Sequence, residues 1–124
     1  MSRVLVTDDS QLTRRILRTI LEAGGHEVME AADGTIALDV IARDAPDCIL
    51  LDLLMPGMDG FEVLGRLDEQ GIKIPVIVIT ADIQETVRKK CMQMGAVGFL
   101  NKPPKEADLH AALKNALAFK KETP

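Results

Sequence analysis

Cys48-Ile49-Leu50-Leu51-Asp52 is a run of four apolar residues closed by a carboxylate. A strand that is apolar at every position, rather than at alternate ones, is covered on both faces. Such strands belong to parallel sheets with helices packed above and below. Pro75-Val76-Ile77-Val78-Ile79-Thr80 repeats the theme, β-branched throughout its interior and closed by a hydroxyl. Working outward, Val4-Leu5-Val6 runs into Thr7-Asp8-Asp9, and Val97-Gly98-Phe99-Leu100 stops just short of Lys102. His26 to Ala31 is a more polar run, which suits an edge strand.

Helical periods fill the intervals. Leu12, Ile16, Ile20 and Ala23 recur at helical spacing, with Arg14, Arg15 and Arg18 on other faces, until Gly24-Gly25 stops the helix. Gly34 opens a second stretch through Ala37, Val40 and Ile41 that ends near Pro46. Met55 to Gly60 reads as a Pro/Gly loop, with Met55 and Met58 as an exposed contact, and Phe61, Leu64 and Leu67 follow at helical spacing. Asp82 with Glu85 resembles a capping box, so a helix is predicted there with Ile83, Val87, Cys91 and Met94 on its buried face. Arg88-Lys89-Lys90 reads as a solvated face of that helix and Lys120-Lys121 as a solvated tail. Leu109, Leu113, Ala116 and Leu117 mark the last helix.

Five strands alternating with five helices imply parallel strands joined by right-handed crossovers. A closed eight-unit barrel needs about twice this chain. The fold class expected is therefore α/β, an open doubly wound sheet with helices on both faces, in one domain spanning residues 1–124.

Composition agrees with a compact domain of 124 residues, 47% hydrophobic and 27% charged. With 3 Phe and neither Trp nor Tyr, the core must be aliphatic, helped by Ala and Met. A net charge of −4 argues against a sequence-independent grip on nucleic acid, so no direct nucleic-acid binding is expected. The apolar runs are too short to span a membrane, and the N-terminus has no apolar signal region. A cytoplasmic location follows as an expectation, with Cys48 and Cys91 reduced.

Open α/β sheets bind ligands beyond the carboxyl ends of their strands. Those ends carry Asp8 and Asp9, Asp52, Thr80 and Lys102. Two carboxylates about 5 Å apart repel by roughly 3 kcal/mol at an effective dielectric near 20, and one lysine does not cancel three of them. Either a proton is retained or a divalent cation sits there. Oxygen-only ligands favour Mg²⁺ or a similar hard ion. The cluster then reads as a phosphoryl-handling site. Asp52 would be the nucleophile, with Thr80 and Lys102 on the phosphoryl oxygens.

These residues resemble the receiver domain of response regulators in bacterial two-component signalling, the chemotaxis-type module. The resemblance is carried by Asp8-Asp9-Ser10, Ala32-Asp33-Gly34 with Ala37-Leu38, and Pro46-Asp47 leading to Asp52. It continues through Met55-Pro56-Gly57-Met58-Asp59-Gly60, Thr80-Ala81, Gly95-Ala96 and Lys102-Pro103. It implies the flavodoxin-like strand order 2-1-3-4-5. It implies that Asp52 accepts a phosphoryl group from a histidine kinase, a histidine phosphotransfer protein or a small phosphodonor. It further implies that Asp8, Asp9, Asp52 and the carbonyl of Leu54 hold Mg²⁺, and that Thr80 and Phe99 form the switch. Lys102 would bind the phosphoryl group, followed by a cis bond to Pro103. The output protein would dock on the fourth helix, fifth strand and fifth helix, the chain being a monomer or a phosphorylation-dependent dimer.

Four positions stand apart from the commonest pattern. Phe99 lacks the hydroxyl of a tyrosine, which excludes a switch reporting through a phenolic hydrogen bond. Pro104 stands where Phe is common. Leu54, two residues past Asp52, and Asp82, two past Thr80, occupy positions that tune phosphoryl lifetime in the family.

Other classes fit less well. A flavin or dinucleotide protein needs a phosphate loop after the first strand, where Asp8 and Asp9 would repel phosphate. An aspartyl phosphatase would place a second Asp where Leu54 stands. The expected function is thus a phosphorylation switch that catalyses only its own phosphorylation and slow hydrolysis. The short segment after the last helix favours a stand-alone receiver, though a receiver excised from a longer DNA-binding or enzymatic regulator would read the same.

Overall fold

The computed structural model describes residues 2–122, with side chains through residue 119; Lys120-Lys121 therefore falls outside the described side chains. In chain order the elements are β1 (Arg3–Thr7), α1 (Gln11–Ala23), β2 (Glu27–Ala31), α2 (Gly34–Arg43) and β3 (Cys48–Leu51). Then follow α3 (Gly60–Glu69), β4 (Val76–Thr80), α4 (Glu85–Gln93), β5 (Gly98–Asn101) and α5 (Glu106–Glu122). The sheet order is β2-β1-β3-β4-β5 and every pairing is parallel. This is the doubly wound α/β fold that the alternation predicts.

Period-two alternation sorts the core into two layers. Val4, Val6, Cys48, Leu50, Ile77 and Ile79 pack with Leu17 and Leu21 of α1 and with Leu109 and Leu113 of α5. Leu5, Ile49, Leu51, Val76 and Val78 face the other way, onto α2, α3 and Cys91 of α4. Both faces are covered, which is why β3 and β4 are buried at every position. β2 has only β1 as a neighbour and keeps polar residues, as an edge strand should. Three helices start at side-chain caps. Ser10 Oγ accepts from the Thr13 amide at 3.2 Å, Asp33 Oδ1 from Ile36 at 2.8 Å, and Asp59 Oδ1 from Glu62 at 2.9 Å.

Three local expectations are corrected. α4 begins at Glu85, capped by Gln84 with no side-chain bond, not at Asp82. The Asp82 carboxylate accepts from the Gln84 amide at 3.2 Å, closing a turn that precedes the helix. Ile83 therefore lies outside the helical period and is 58% exposed, while Cys91 is buried and Val87 and Met94 pack against the core. On α1 the buried pair is Leu17 and Leu21, whereas Leu12 and Ile16 are exposed. The apolar stripe of α1 is wide, and both sets satisfy a helical repeat, so spacing alone did not choose between them. Met55 is buried rather than exposed, because the loop after β3 folds back over the α2–α3 layer, and Met58 is half-buried there.

Charge organises the β2 edge. The Glu30 carboxylate accepts from Arg14 Nε at 3.0 Å and Arg18 Nε at 2.8 Å. Burial opposes ionisation of Glu30, but the bonds from Arg18 and Arg14 outweigh it and hold the carboxyl below its usual value of 4.5. A depressed folded pKa means stability that is present above 4.5 and lost as pH falls through the folded value. Glu30→Gln is expected to cost about 1 kcal/mol at neutral pH after allowance for screening. Denaturant midpoints of the two proteins should converge as pH falls well below 4.5, and a deficit that persists in strong acid would show another cause.

Candidate functional site

The sheet register assembles the site. Thr7 pairs with Leu51 on the adjacent strand, so the next residues, Asp8 and Asp52, emerge side by side. The ladder runs one step past the strands: the Asp52 amide donates to the Thr7 carbonyl at 3.0 Å and the Asp8 amide to the Ala31 carbonyl at 3.1 Å. Across the sheet, the Lys102 amide donates to the Thr80 carbonyl at 2.9 Å. Parallel strands lie about 4.8 Å apart, which brings residues far apart in sequence within reach of one another.

Asp8, Asp52 and Thr80 are buried polar residues at these ends. Lys102 Nζ lies 2.8 Å from Asp8 Oδ2 and 2.9 Å from Asp52 Oδ2. The other Asp8 oxygen accepts from the Ser10 amide at 2.8 Å, and the other Asp52 oxygen from the Leu54 amide at 3.3 Å. Asp9 is exposed beside them. Carboxylate oxygens of Asp8, Asp9 and Asp52 all lie within 4.8 Å of one another. An all-oxygen set of this size suits a hard divalent cation and offers no soft ligand for zinc or copper.

The electrostatics follow from burial. Desolvation pushes the Asp52 carboxyl up, the Lys102 hydrogen bond pulls against it, and the Asp8 charge adds to the rise. Burial alone would lower the Lys102 ammonium, but its bonds to Asp8 and Asp52 win and keep it protonated. The pocket thus holds three carboxylates against one ammonium.

Thr80 is fully buried, and its Oγ1 accepts from the Asp82 amide at 3.3 Å. Phe99 pairs with Val78, one alternation before Thr80, and packs half-buried on the α2–α4 side of the sheet. Leu54 is 65% exposed at the site's edge. The Lys102–Pro103 bond is cis. Sequence reasoning missed Arg14, whose Nη1 donates to the Asp8 carbonyl at 2.7 Å. Its position four residues after the N-cap Ser10 was the only signal. The Arg88-Lys89-Lys90 run is exposed on α4, as its reading as a solvated face expects. Arg88 pairs with Glu85 at 2.9 Å, and Lys90 Nζ sits 4.1 Å above the Phe61 ring.

An acid-lined pocket at the carboxyl rim of a five-stranded 2-1-3-4-5 sheet defines the chemotaxis-type class of doubly wound proteins. The family model described as the response regulator receiver domain matches residues 4–114, and the chain belongs to that family, a signalling module of two-component systems. The chain is 43% identical over 121 residues to the response regulator PleD of Caulobacter vibrioides, covering 96% of this chain and 27% of that protein. It is 39% identical over 115 residues to the response regulator MprA of Mycolicibacterium vanbaalenii, covering 93% of this chain and 50% of that protein. It thus spans half or less of the length of these relatives. Among solved structures, the Francisella response regulator 1452 receiver domain superposes with a TM-score of 0.89 at 29% identity, each chain covered in full. The Vibrio cholerae chemotaxis protein CheY4 superposes with a TM-score of 0.86 at 33% identity, over 94% of this chain and 99% of that one. Receiver domains are signalling switches rather than enzymes acting on metabolites. No helix among the described residues is long and apolar enough to cross a membrane.

Proposed function

We propose that residues 1–124 form one receiver domain that is switched by phosphorylation of Asp52. The observation that carries this reading is Lys102 Nζ bridging Asp8 and Asp52 at 2.8 and 2.9 Å, beside the exposed Asp9. An Asp52 oxygen attacks phosphorus of a phosphohistidine on a histidine kinase or phosphotransfer protein, or of a small acyl phosphate. The new O–P bond forms as the donor's bond to phosphorus breaks. The donor's imidazole or carboxylate leaves with the bonding electrons, and a leaving imidazole takes its proton from solvent.

Asp8, Asp9, Asp52 and the Leu54 carbonyl are the residues that would hold Mg²⁺. When bound, the ion neutralises the negative charge that phosphoryl and carboxylates bring together. Lys102 stays protonated and moves from the carboxylate to a phosphoryl oxygen. The Leu54 amide donates to the second Asp52 oxygen and orients the carboxylate. Thr80 turns its hydroxyl toward the phosphoryl group, giving up its bond from Asp82. Phe99, on the same side of the sheet, fills the space this leaves. That shift reshapes the surface of α4, β5 and α5 for an output partner or a phosphorylation-dependent dimer. The domain works in the cytoplasm and makes no direct contact with nucleic acid itself, either alone or as the receiver of a longer regulator.

Beryllofluoride with Mg²⁺ mimics the acyl phosphate and should shift the amide signals of Thr80 and Phe99. An unchanged spectrum at both residues would refute the switch. Leu54 sets the lifetime: its apolar side chain offers an attacking water nothing to bind. Leu54→Asn should speed loss of the aspartyl phosphate about fivefold, the effect of one hydrogen bond worth about 1 kcal/mol. Identical decay curves for the two proteins would remove Leu54 from this role.

A further inference from the structure

Asp8 is held at four atoms. Its amide donates to the Ala31 carbonyl, its two carboxylate oxygens meet the Ser10 amide and Lys102, and its own carbonyl accepts from Arg14 Nη1 at 2.7 Å. The fourth contact comes from outside the pocket. Arg14 is only 15% exposed, and its Nε is engaged by Glu30 Oε1 at 3.0 Å. The other Glu30 oxygen is taken by Arg18 at 2.8 Å. The guanidinium is thus braced against a carboxylate that cannot swing away. A planar fork held at two points has little freedom left.

The Asp8 carbonyl and the Asp9 amide share one rigid peptide plane. Fixing the carbonyl fixes the plane from which Asp9 departs. The Asp9 carboxylate is exposed and makes no hydrogen bond or ion pair among the described residues, so within the protein only the backbone limits where its side chain departs.

We propose that Arg14 is a positioning residue for cation binding: braced on Glu30, it locks the Asp8–Asp9 peptide and presets both carboxylates toward the Asp52 pocket. The inference rests on the Mg²⁺ site described above. It makes a prediction of opposite sign to simple charge. Removing a cation beside an acidic pocket should tighten Mg²⁺ binding, since the site becomes more negative. Removing a brace should weaken it, as loss of groups that orient metal ligands does.

The test is Mg²⁺ titration of the folded proteins, followed by the amide signals of Asp9 and Ser10. Melting curves are recorded in parallel. Arg14→Met should weaken Mg²⁺ binding roughly tenfold. Arg14→Lys keeps the charge but lacks the fork, so it should fall between Arg14→Met and the wild type, and it serves if Arg14→Met does not fold. Arg18→Met is the control, because Arg18 also braces Glu30 but bonds the Val28 carbonyl and not Asp8. It should lower stability while leaving Mg²⁺ affinity within about twofold. Phosphorylation of Arg14→Met should return to the wild-type maximum at saturating Mg²⁺. Tighter or unchanged Mg²⁺ binding in both Arg14 variants, or equal weakening in Arg14→Met and Arg18→Met, would overturn the positioning role and leave the site intact. A wild-type protein whose Asp9 and Ser10 signals ignore Mg²⁺ would instead overturn the site, and this inference with it.

Discussion

Asp52→Asn is expected to abolish phosphoryl incorporation from acetyl phosphate, a loss of at least about a thousandfold in rate, and at the same time to raise the melting temperature. The first effect is chemical. The amide oxygen carries no charge and cannot form the acyl phosphate. The second follows from burial. Desolvation and the neighbouring Asp8 charge hold the Asp52 carboxyl above its ordinary value of 3.8, although Lys102 opposes them. A raised folded pKa means that the ionised group costs stability at neutral pH, and that the cost fades as pH falls toward and below 3.8. The variant's advantage, a few degrees in metal-free buffer, should therefore be present at pH 7 and vanish near pH 3. Added Mg²⁺ should narrow it, since the ion stabilises the protein that binds it more tightly. Incorporation is read by radiolabel or intact mass, and stability by thermal melts in chelator and in Mg²⁺. Lost incorporation with a lowered melting point would mean a damaged fold rather than a missing nucleophile. Retained incorporation would move the acceptor to another residue.

The strands and the site were legible for one physical reason: burial on both faces writes itself into consecutive residues. Cys48–Leu51 and Val76–Thr80 could be read as central strands, and the groups just past them converge because parallel strands end together. What the sequence did not settle was orientation and local turn chemistry. α1 carries two overlapping apolar repeats, and only the packing of Leu17 and Leu21 against Val4, Val6 and Leu109 chooses between them. Asp82 has the right residue type for a cap, but its carboxylate is spent two residues later on the Gln84 amide. Met55 carries no periodic signal, so its burial depends on how the loop after β3 folds back. Arg14 was hidden for a related reason. Its partners, Glu30 and a backbone carbonyl, lie on other elements, and a charge on a helix does not announce a tertiary bond. The strand order was implied by the family resemblance and not by the periodicity, and the sheet bears it out.

The loop behind Asp52 supplies the second large effect. Gly60 opens α3, and its amide donates to the Leu53 carbonyl at 3.0 Å. This draws the helix start against the backbone that carries Asp52. A Cβ at position 60 would lie 2.6 Å from the Asp52 carbonyl oxygen and 2.7 Å from the Leu53 Cα. Both are backbone atoms, so no side chain can turn aside, and either α3 or the end of β3 must move. Gly60→Ala is expected to cost about 3 kcal/mol, the upper part of the range for overpacking. That corresponds to a fall of roughly 10 °C in melting temperature for a domain of this size. Gly57, in the same loop, makes the comparison informative. Its φ of +76° disfavours a side chain, but a Cβ there meets nothing within 4 Å. Gly57→Ala should cost about 1 kcal/mol through backbone strain alone, with Asp52 undisturbed. The two variants should therefore differ in function as well as stability. At a temperature where both are folded, Gly60→Ala should phosphorylate more slowly at saturating acetyl phosphate and Mg²⁺, while Gly57→Ala keeps the wild-type rate. Equal melting points for the two would mean that the α3 contact yields freely. Equal rates would mean that Asp52 is positioned by β3 and Lys102 without help from the helix behind it.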